Sequence, residues 1–240
     1  MTTATKLDLT GQRILITGGA GALGEAIQET LGSHGARFHS FDLTDGVDAS
    51  DPSSVASALN AIEAEHGLPT IGLCHAGVVG THPILNYPIE EFDLALRSNV
   101  RAAFVTAQAL AARWVEAGVA GHLIFTTSWV AANPWPDIGA YTTAKAGIVQ
   151  LMRQFALELA PHGIRANAVA PGIVAAGMAK HQWDTDADYR RRASTAVPLG
   201  ELQSPQSVAD AFLFLCSPLA SYMTGSVLTV DGGASLRPLD

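Results

Sequence analysis

Along the chain, short apolar runs rich in β-branched residues alternate with longer segments of mixed polarity. Residues 13–17, 36–42, 70–75, 122–127, 165–170 and 227–230 read as strands, with a further short extended piece at 47–49. Nearly every position in most of these runs is apolar, as expected of strands buried on both faces of a parallel sheet. Between them, residues 24–34, a stretch opening near Asp51, residues from about 89 to 116, 141–160 and 204–216 read as helices. Asp51-Pro52 supplies an N-cap followed by proline at the first helical position. Strand and helix in alternation imply right-handed βαβ units. The expected fold is α/β: a single-domain, Rossmann-like, doubly wound parallel sheet of about seven strands with helices on both faces. No linker divides the chain, so residues 1–240 read as one domain. Residues 172–203 form the longest irregular stretch, with room for short helices, read as a substrate loop or lid.

The first strand runs directly into Thr17-Gly18-Gly19-Ala20-Gly21-Ala22-Leu23-Gly24 and then a helix. Such a turn presents backbone N–H groups at a helix N-terminus, where a pyrophosphate can sit. An acidic residue, Asp42, closes the second strand, where its carboxylate can accept from the adenosine ribose hydroxyls. It would repel the extra phosphate of NADP, and neither the glycine loop nor Leu43-Thr44 carries a cation to offset that. NAD is the expected cofactor.

Tyr141-Thr142-Thr143-Ala144-Lys145 puts a phenol and an ammonium one helical turn apart, on one face. An ammonium beside a phenol favours the phenolate, and such a tyrosine can exchange a proton with an alcohol or carbonyl. Taken alone the spacing also fits a solvated helix face.

With these residues in order, the chain resembles the short-chain dehydrogenase/reductase family over roughly residues 9–236. The resemblance assigns the cofactor loop to Gly18, Gly21, Ala22, Leu23 and Gly24, and an adenine contact to Asp48. It assigns the turn after the next strand to Cys74-His75-Ala76-Gly77, with Ala76 and Gly77 against the cofactor. The active-site asparagine is Asn99, the catalytic serine Ser128, and the pair Tyr141 and Lys145. Pro171-Gly172 leads to Ile173 and Val174, which would hold the nicotinamide. By this resemblance Tyr141 is the general acid/base and Ser128 bonds the substrate oxygen. Lys145 lowers the phenol's pKa and bonds the nicotinamide ribose, and Asn99 holds a water of a proton relay. Three departures stand out: Ala22 for a loop glycine, Cys74-His75 for an asparagine pair, and Ala176 for the threonine that bonds the carboxamide. His75 reads as structural. The resemblance also implies a homotetramer built on the helices around 99–115 and 144–159. Ala102, Ala103, Ala107, Ala144 and Ala146 would permit close approach.

Substrate contacts are expected from Ser128, Val130, Trp135, His82, Met178 and Trp183, with Trp129 and His181 nearby. Tryptophans among polar groups suit the apolar face of a sugar or polyol; a lid packing on itself would use them equally well. Arg190-Arg191-Arg192 fits either an anionic substrate group or a solvated helix face. The expected activity is NAD-dependent interconversion of a secondary alcohol, on a sugar or polyol, with its carbonyl. The alternatives are a 3-oxoacyl-thioester or other carbonyl reductase, and a nucleotide-binding sensor without catalysis.

Composition narrows the partners. A net charge of −8 with no long basic run speaks against nucleic acid. Nothing approaches a membrane-spanning apolar stretch, and the N-terminal residues carry no signal-peptide pattern. Two cysteines, without metal-ligand spacing, fit a reducing cytoplasm; no metal site is expected.

Overall fold

The computed structural model describes residues 7–236, except the side chain of Met178. Its one sheet has six parallel strands: β1 (Arg13–Thr17), β2 (Arg37–Phe41), β3 (Ile71–Cys74), β4 (Gly121–Thr126), β5 (Ile164–Pro171) and β6 (Val227–Val230). Their spatial order is β2-β1-β3-β4-β5-β6. The chain leaves β1 toward one edge and returns through β3 toward the other, so a crevice opens at the C-terminal ends of β1 and β3.

The helices are α1 (Ala22–Ser33), α2 (Pro52–His66), α3 (Ile89–Leu96), α4 (Ala102–Ala117), α5 (Gly139–Leu159), α6 (Gly177–Thr185), α7 (Ala187–Ala196) and α8 (Pro205–Cys216). Strand side chains alternate between two cores, as a period of two requires. Ile14, Ile16, Ile71, Leu73 and Ile124 pack on Ile27 and Leu31 of α1 and Val208 and Phe212 of α8. Leu15, Leu123 and Phe125 pack on Leu59 of α2, Leu110 and Trp114 of α4, and Ile148 and Met152 of α5. Two strand glycines let α4 lie close. A Cβ at Gly121 would come within 2.3 Å of the Trp114 ring, and one at Gly72 within 2.4 Å of Leu110 Cδ1.

The sheet has one strand fewer than expected. Residues 47–49 cannot join a ladder, because their polar groups are already used. Val47 N donates to Asp42 O at 3.0 Å. Asp48 N donates to Ser54 Oγ at 3.0 Å, and the Asp48 carboxylate accepts from Ser50 N and Oγ at 2.8 and 2.7 Å. The helix expected over 89–116 is also two helices, joined by a π-helical turn at Arg97–Arg101. Side-chain capping agrees with the sequence at α2 and α8. Asp51 accepts from Ser53 N, and Ser204 accepts from Ser207 N.

Residues 172–203 are largely helical, carrying α6 and α7. The base of the excursion is closed by main chain: Gln203 N donates to Ile173 O at 2.9 Å, and Ala175 N donates to Gln203 O at 2.7 Å. Gln203 Oε1 accepts from Gly172 N at 2.8 Å.

Candidate active site

The crevice begins at the glycine loop. Thr17 Oγ1 accepts from both His75 N and Ala76 N at 3.0 Å, tying the end of β1 to the turn after β3. Gly18 has φ of 73°, and a Cβ there would lie 2.9 Å from Ala76 Cα. Gly24 is equally confined, since a Cβ would meet Gly18 O at 2.5 Å. Ala22, by contrast, is exposed on the first turn of α1, where its methyl group is accommodated. Gly21 caps α1 with no side chain accepting from its first N–H groups, which leaves an anion-binding helix terminus.

A trough runs outward from this terminus. Gly21, Ala22, Leu23 and Val174 line its middle. Gly18, Asp42, Ala76 and Gly77 border both that middle part and an adjoining hollow that reaches Asp48. Asp42 Oδ2 accepts from Ala20 N at 3.3 Å, and Oδ1 accepts from Thr44 N at 3.2 Å, holding the carboxylate at the trough wall. Asp48 is turned toward Ser50 and pairs with Arg97 at 2.8 Å. The Ser50 hydrogen bonds, with Arg97 behind them, hold its carboxyl below the usual range. This shape and donor set fit a nicotinamide dinucleotide: a tight loop in which Gly18 and Gly24 leave no room for a Cβ, an uncapped helix N-terminus and a carboxylate at the end of β2.

At its inner end the trough meets a cavity of about 310 Å³, sharing Leu23, His75, Gly77, Val174 and Ala176 with it. Ser128 follows β4, and Tyr141 and Lys145 stand one turn apart on α5; all three line this cavity with Pro171, Gly172 and Ile173. Lys145 is buried. Its Nζ donates to Thr126 O at 2.9 Å and lies 5.3 Å from the Tyr141 ring centre. Burial pushes Lys145 down to about 7. It pushes Tyr141 up to about 12, against which a hydrogen bond with Ser128 acts, so the lowering expected from Lys145 is outweighed by burial.

The same threonine serves His75, whose Nδ1 is 2.9 Å from Thr126 Oγ1. Burial, with Lys145 nearby, pushes His75 down to about 4, so the ring is neutral and packs edge-on to Phe212. Asn99 comes from the π-helical turn and is fully buried. Its Nδ2 donates to Ala95 O and Val78 O, both at 2.9 Å, while its Oδ1 is buried without a partner. A Cβ on Gly77 would lie 2.3 Å from that oxygen and 3.3 Å from Lys145 Nζ. Glycine at 77 thus keeps open a small space bordered by both groups.

On the substrate side, Val130 and Trp135 line the cavity. Trp135 packs edge-on to Trp129 at 5.4 Å and to Tyr189 at 6.4 Å. The Met178 side chain lies outside the described residues. Two expected contacts lie outside this lining. His82 is drawn away by Glu91, 2.7 Å from its Nε2, and stacks edge-on to Tyr87. Trp183, on α6, packs against the cluster of Trp129, Trp135 and Tyr189, and its carbonyl accepts from Arg190 Nε at 2.7 Å. The structure adds Asp137, Gln182, Tyr189 and Arg192 to the lining. Only Arg192 had a signal in the sequence, as part of the arginine triplet. The others reach the cavity through the geometry of the loop before α5 and of α6 and α7, which no periodicity encodes.

A dinucleotide trough ending at a serine, a tyrosine and a lysine defines a class of protein: an oxidoreductase that works with a nicotinamide cofactor. The family model described as enoyl-(acyl carrier protein) reductase matches residues 1–235. An L-rhamnose 1-dehydrogenase (NAD(P)+) of Azotobacter vinelandii is 34% identical over 93% of this chain and 87% of that protein. A short-chain type dehydrogenase/reductase from Mycobacterium marinum superposes with a TM-score of 0.88. It is 32% identical over 96% of this chain and 98% of that one. A 3-ketoacyl-(acyl-carrier-protein) reductase from Brucella melitensis, solved with NADH, gives a TM-score of 0.86 at 27% identity, over 95% of this chain and all of that one. The chain belongs to the short-chain dehydrogenase/reductase family, whose members act on CH–OH groups and the corresponding carbonyls.

Proposed function

We propose that this enzyme is an NAD-dependent dehydrogenase that oxidises a secondary alcohol on a sugar or polyol. The observation that carries the reading is Ser128, Tyr141 and Lys145 in a cavity continuous with the glycine-loop trough. Ser128 would hydrogen-bond the alcohol oxygen and hold it against Tyr141. Tyr141 Oη, as phenolate, would take the hydroxyl proton. The nicotinamide, when bound, supplies the acceptor for the hydride that leaves the alcohol carbon. Lys145, while protonated, would favour the phenolate, and it would meet the nicotinamide ribose. The orphaned Asn99 Oδ1 would hold a water beside Lys145 Nζ, through which the proton returns to solvent. Residues 172–203 act as the lid, and Ile173 and Val174 back the nicotinamide where Ala176 offers no hydroxyl.

NAD is preferred to NADP because Asp42 would face the 2′-phosphate. Arg97, the cation bordering that hollow, is committed to Asp48 and Ser50. The sugar assignment is supported by the rhamnose dehydrogenase relative. The enzyme works as a homotetramer in the cytoplasm; both cysteines, Cys74 and Cys216, are free and buried, and need no oxidising compartment. Among the described residues no helix is long and apolar enough to cross a membrane.

The test is NADH formation on a panel of sugars, sugar acids and polyols, with simple secondary alcohols as controls. Turnover of at least one polyhydroxylated compound well above the simple alcohols supports the reading; none in the panel overturns it. The family model and the ketoacyl reductase likeness favour a second reading, reduction of a 3-oxoacyl thioester. NADPH oxidation with such a thioester, faster than any sugar reaction, would establish it instead. Asp42→Ala should bring the NAD:NADP ratio of kcat/KM down by tenfold or more, and an unchanged ratio removes the ribose role.

A further inference from the structure

The three lid arginines have different surroundings. Arg190 donates from Nε to Trp183 O and from Nη2 to Asp184 O at 3.0 Å, closing the α6–α7 corner. Arg191 pairs with Asp188 one turn back. Arg192 makes no hydrogen bond or ion pair with any described residue, and it lines the substrate cavity. Helix geometry explains the difference. Tyr189, Ala193 and Ala196 form the buried stripe of α7. Arg192 is three residues after Tyr189 and beside Ala193, so it stands at the border of that stripe, over the cavity mouth.

A second charged group lines the same cavity. Asp137 is the only described non-glycine residue with positive φ, at 66°. That left-handed conformation is unfavourable for most side chains and is found where surrounding structure imposes it. Its main chain is tied to the loop after β3, where His82 N donates to Asp137 O at 2.7 Å. The Asp137 carboxylate has no partner among the described residues, and it does not pair with Arg192. Gln182, also in the lining, adds a neutral amide. The rest of the lining around Trp135 is mainly apolar.

From this arrangement we infer that the substrate is a polyhydroxylated compound carrying an oxyanion group, which Arg192 grips while Asp137 accepts from hydroxyls. The inference rests on the sugar or polyol reading above and narrows it. A guanidinium fork matches a carboxylate or a phosphate through two parallel hydrogen bonds. A lone carboxylate can only accept, so it selects hydroxyl-bearing partners and disfavours an anion beside it. Together they fix which end of the molecule faces inward. Aldonates and sugar phosphates share the required chemistry.

The experiment measures kcat/KM with NAD for matched compounds of one configuration: neutral sugar or polyol, aldonate, and sugar phosphate. Wild-type enzyme should favour one of the anionic forms over the neutral one by about tenfold to a hundredfold, the range of a charged hydrogen bond. Whichever anion is favoured identifies the group. Arg192→Gln should collapse that ratio chiefly through KM, and Arg192→Lys should retain part of it. Arg191→Gln removes an already paired cation from the same helix and should leave the ratio intact. Asp137→Asn should raise KM severalfold for compounds rich in hydroxyls, with the ratio shifted toward the anion. Turnover with no preference for anions, or an equal loss in Arg191→Gln, overturns this inference and leaves the sugar dehydrogenase reading standing. No turnover of any compound in the panel overturns both.

Discussion

At the scale of the residue, the proposed proton-transfer pair shows what spacing can and cannot tell. Four residues on a helix place Tyr141 and Lys145 on one face, and that much follows from the sequence. Their acidities do not follow from it. Burial sends the phenol up to about 12 and the ammonium down to about 7. Burial depends on how β4, α5 and the lid close around them, which is tertiary information. The consequence is a pH dependence with a definite sign. Alcohol oxidation needs the phenolate, and below a pKa of about 12 its fraction rises with pH. As pH rises through about 7 Lys145 loses the charge that favours the phenolate, which makes the climb shallower there without reversing it. Oxidation kcat should therefore rise between pH 7 and 10, while carbonyl reduction, which needs the protonated phenol, should not fall through loss of that phenol until the pH nears 12. A flat oxidation profile, with the chemical step shown to limit the rate, would remove Tyr141 as the base. Tyr141→Phe should cut turnover by about 10²-fold to 10⁴-fold with NADH binding, followed by fluorescence titration, nearly unchanged.

At the scale of the element, six strands and the main helices were legible because apolar runs and caps are local signals. Two features escaped. Residues 47–49 are extended in pattern but give their N–H groups to Asp42 and Ser54. The sequence between 89 and 116 has helical periodicity throughout, and nothing local marks the π-helical turn that carries Asn99 inward. Such a turn is a recurrent device at functional sites, and here it gives Asn99 its contacts to Ala95 and Val78. The fit of α4 onto the sheet depends on bulk in the opposite sense. Trp114 fills the space left by Gly121, and its Nε1 donates to Pro69 O at 2.7 Å. Trp114→Phe should lose that hydrogen bond and leave Pro69 O buried, lowering stability by about 1–3 kcal/mol. Urea unfolding measures it, and an unchanged midpoint and slope would show that the indole contributes nothing specific.

At the scale of the whole molecule, the parallel sheet brings the trough-lining residues to the C-terminal ends of its strands, and that too was implied by strand–helix alternation. What alternation could not supply was how distant strands meet in buried polar clusters. His122 on β4 lies between Arg165 and Asn167 of β5, with Asn167 Nδ2 2.9 Å from its Nε2. Burial and the Arg165 charge push it down to about 3. The unfolded chain binds a proton near 6.5 and the folded one does not, so stability is full above 6.5 and is lost as pH falls through the window toward 3. The effect is on the order of several kcal/mol. His122→Gln should unfold less steeply with acid than the wild type when followed by circular dichroism, and an identical acid profile would exclude His122 from the transition.

The proposed tetramer is the other property of the whole molecule, and the structure changes which residues it would use. Ala102, Ala103, Ala107 and Ala144 are buried within the monomer, against its own core, so they are not available to a second copy. Those four serve the close fit of α4 and α5 inside one chain, whereas Ala146 is exposed and stays available to a second copy. Exposed instead are Phe104, whose ring lies 6.1 Å from that of Phe155 on the neighbouring helix, and Val115 farther along α4. Large apolar side chains left in water on two adjacent helices are the kind of surface that association covers. A symmetric pairing would bring each such patch against its own copy. Wild-type protein should sediment as a tetramer. Phe104→Glu would put a charge in the centre of a self-complementary patch, two of them facing across the axis. It should therefore yield smaller species while the far-ultraviolet circular dichroism stays native. A wild-type monomer overturns the assembly, and a Phe104→Glu variant that stays fully tetrameric moves the interface off α4.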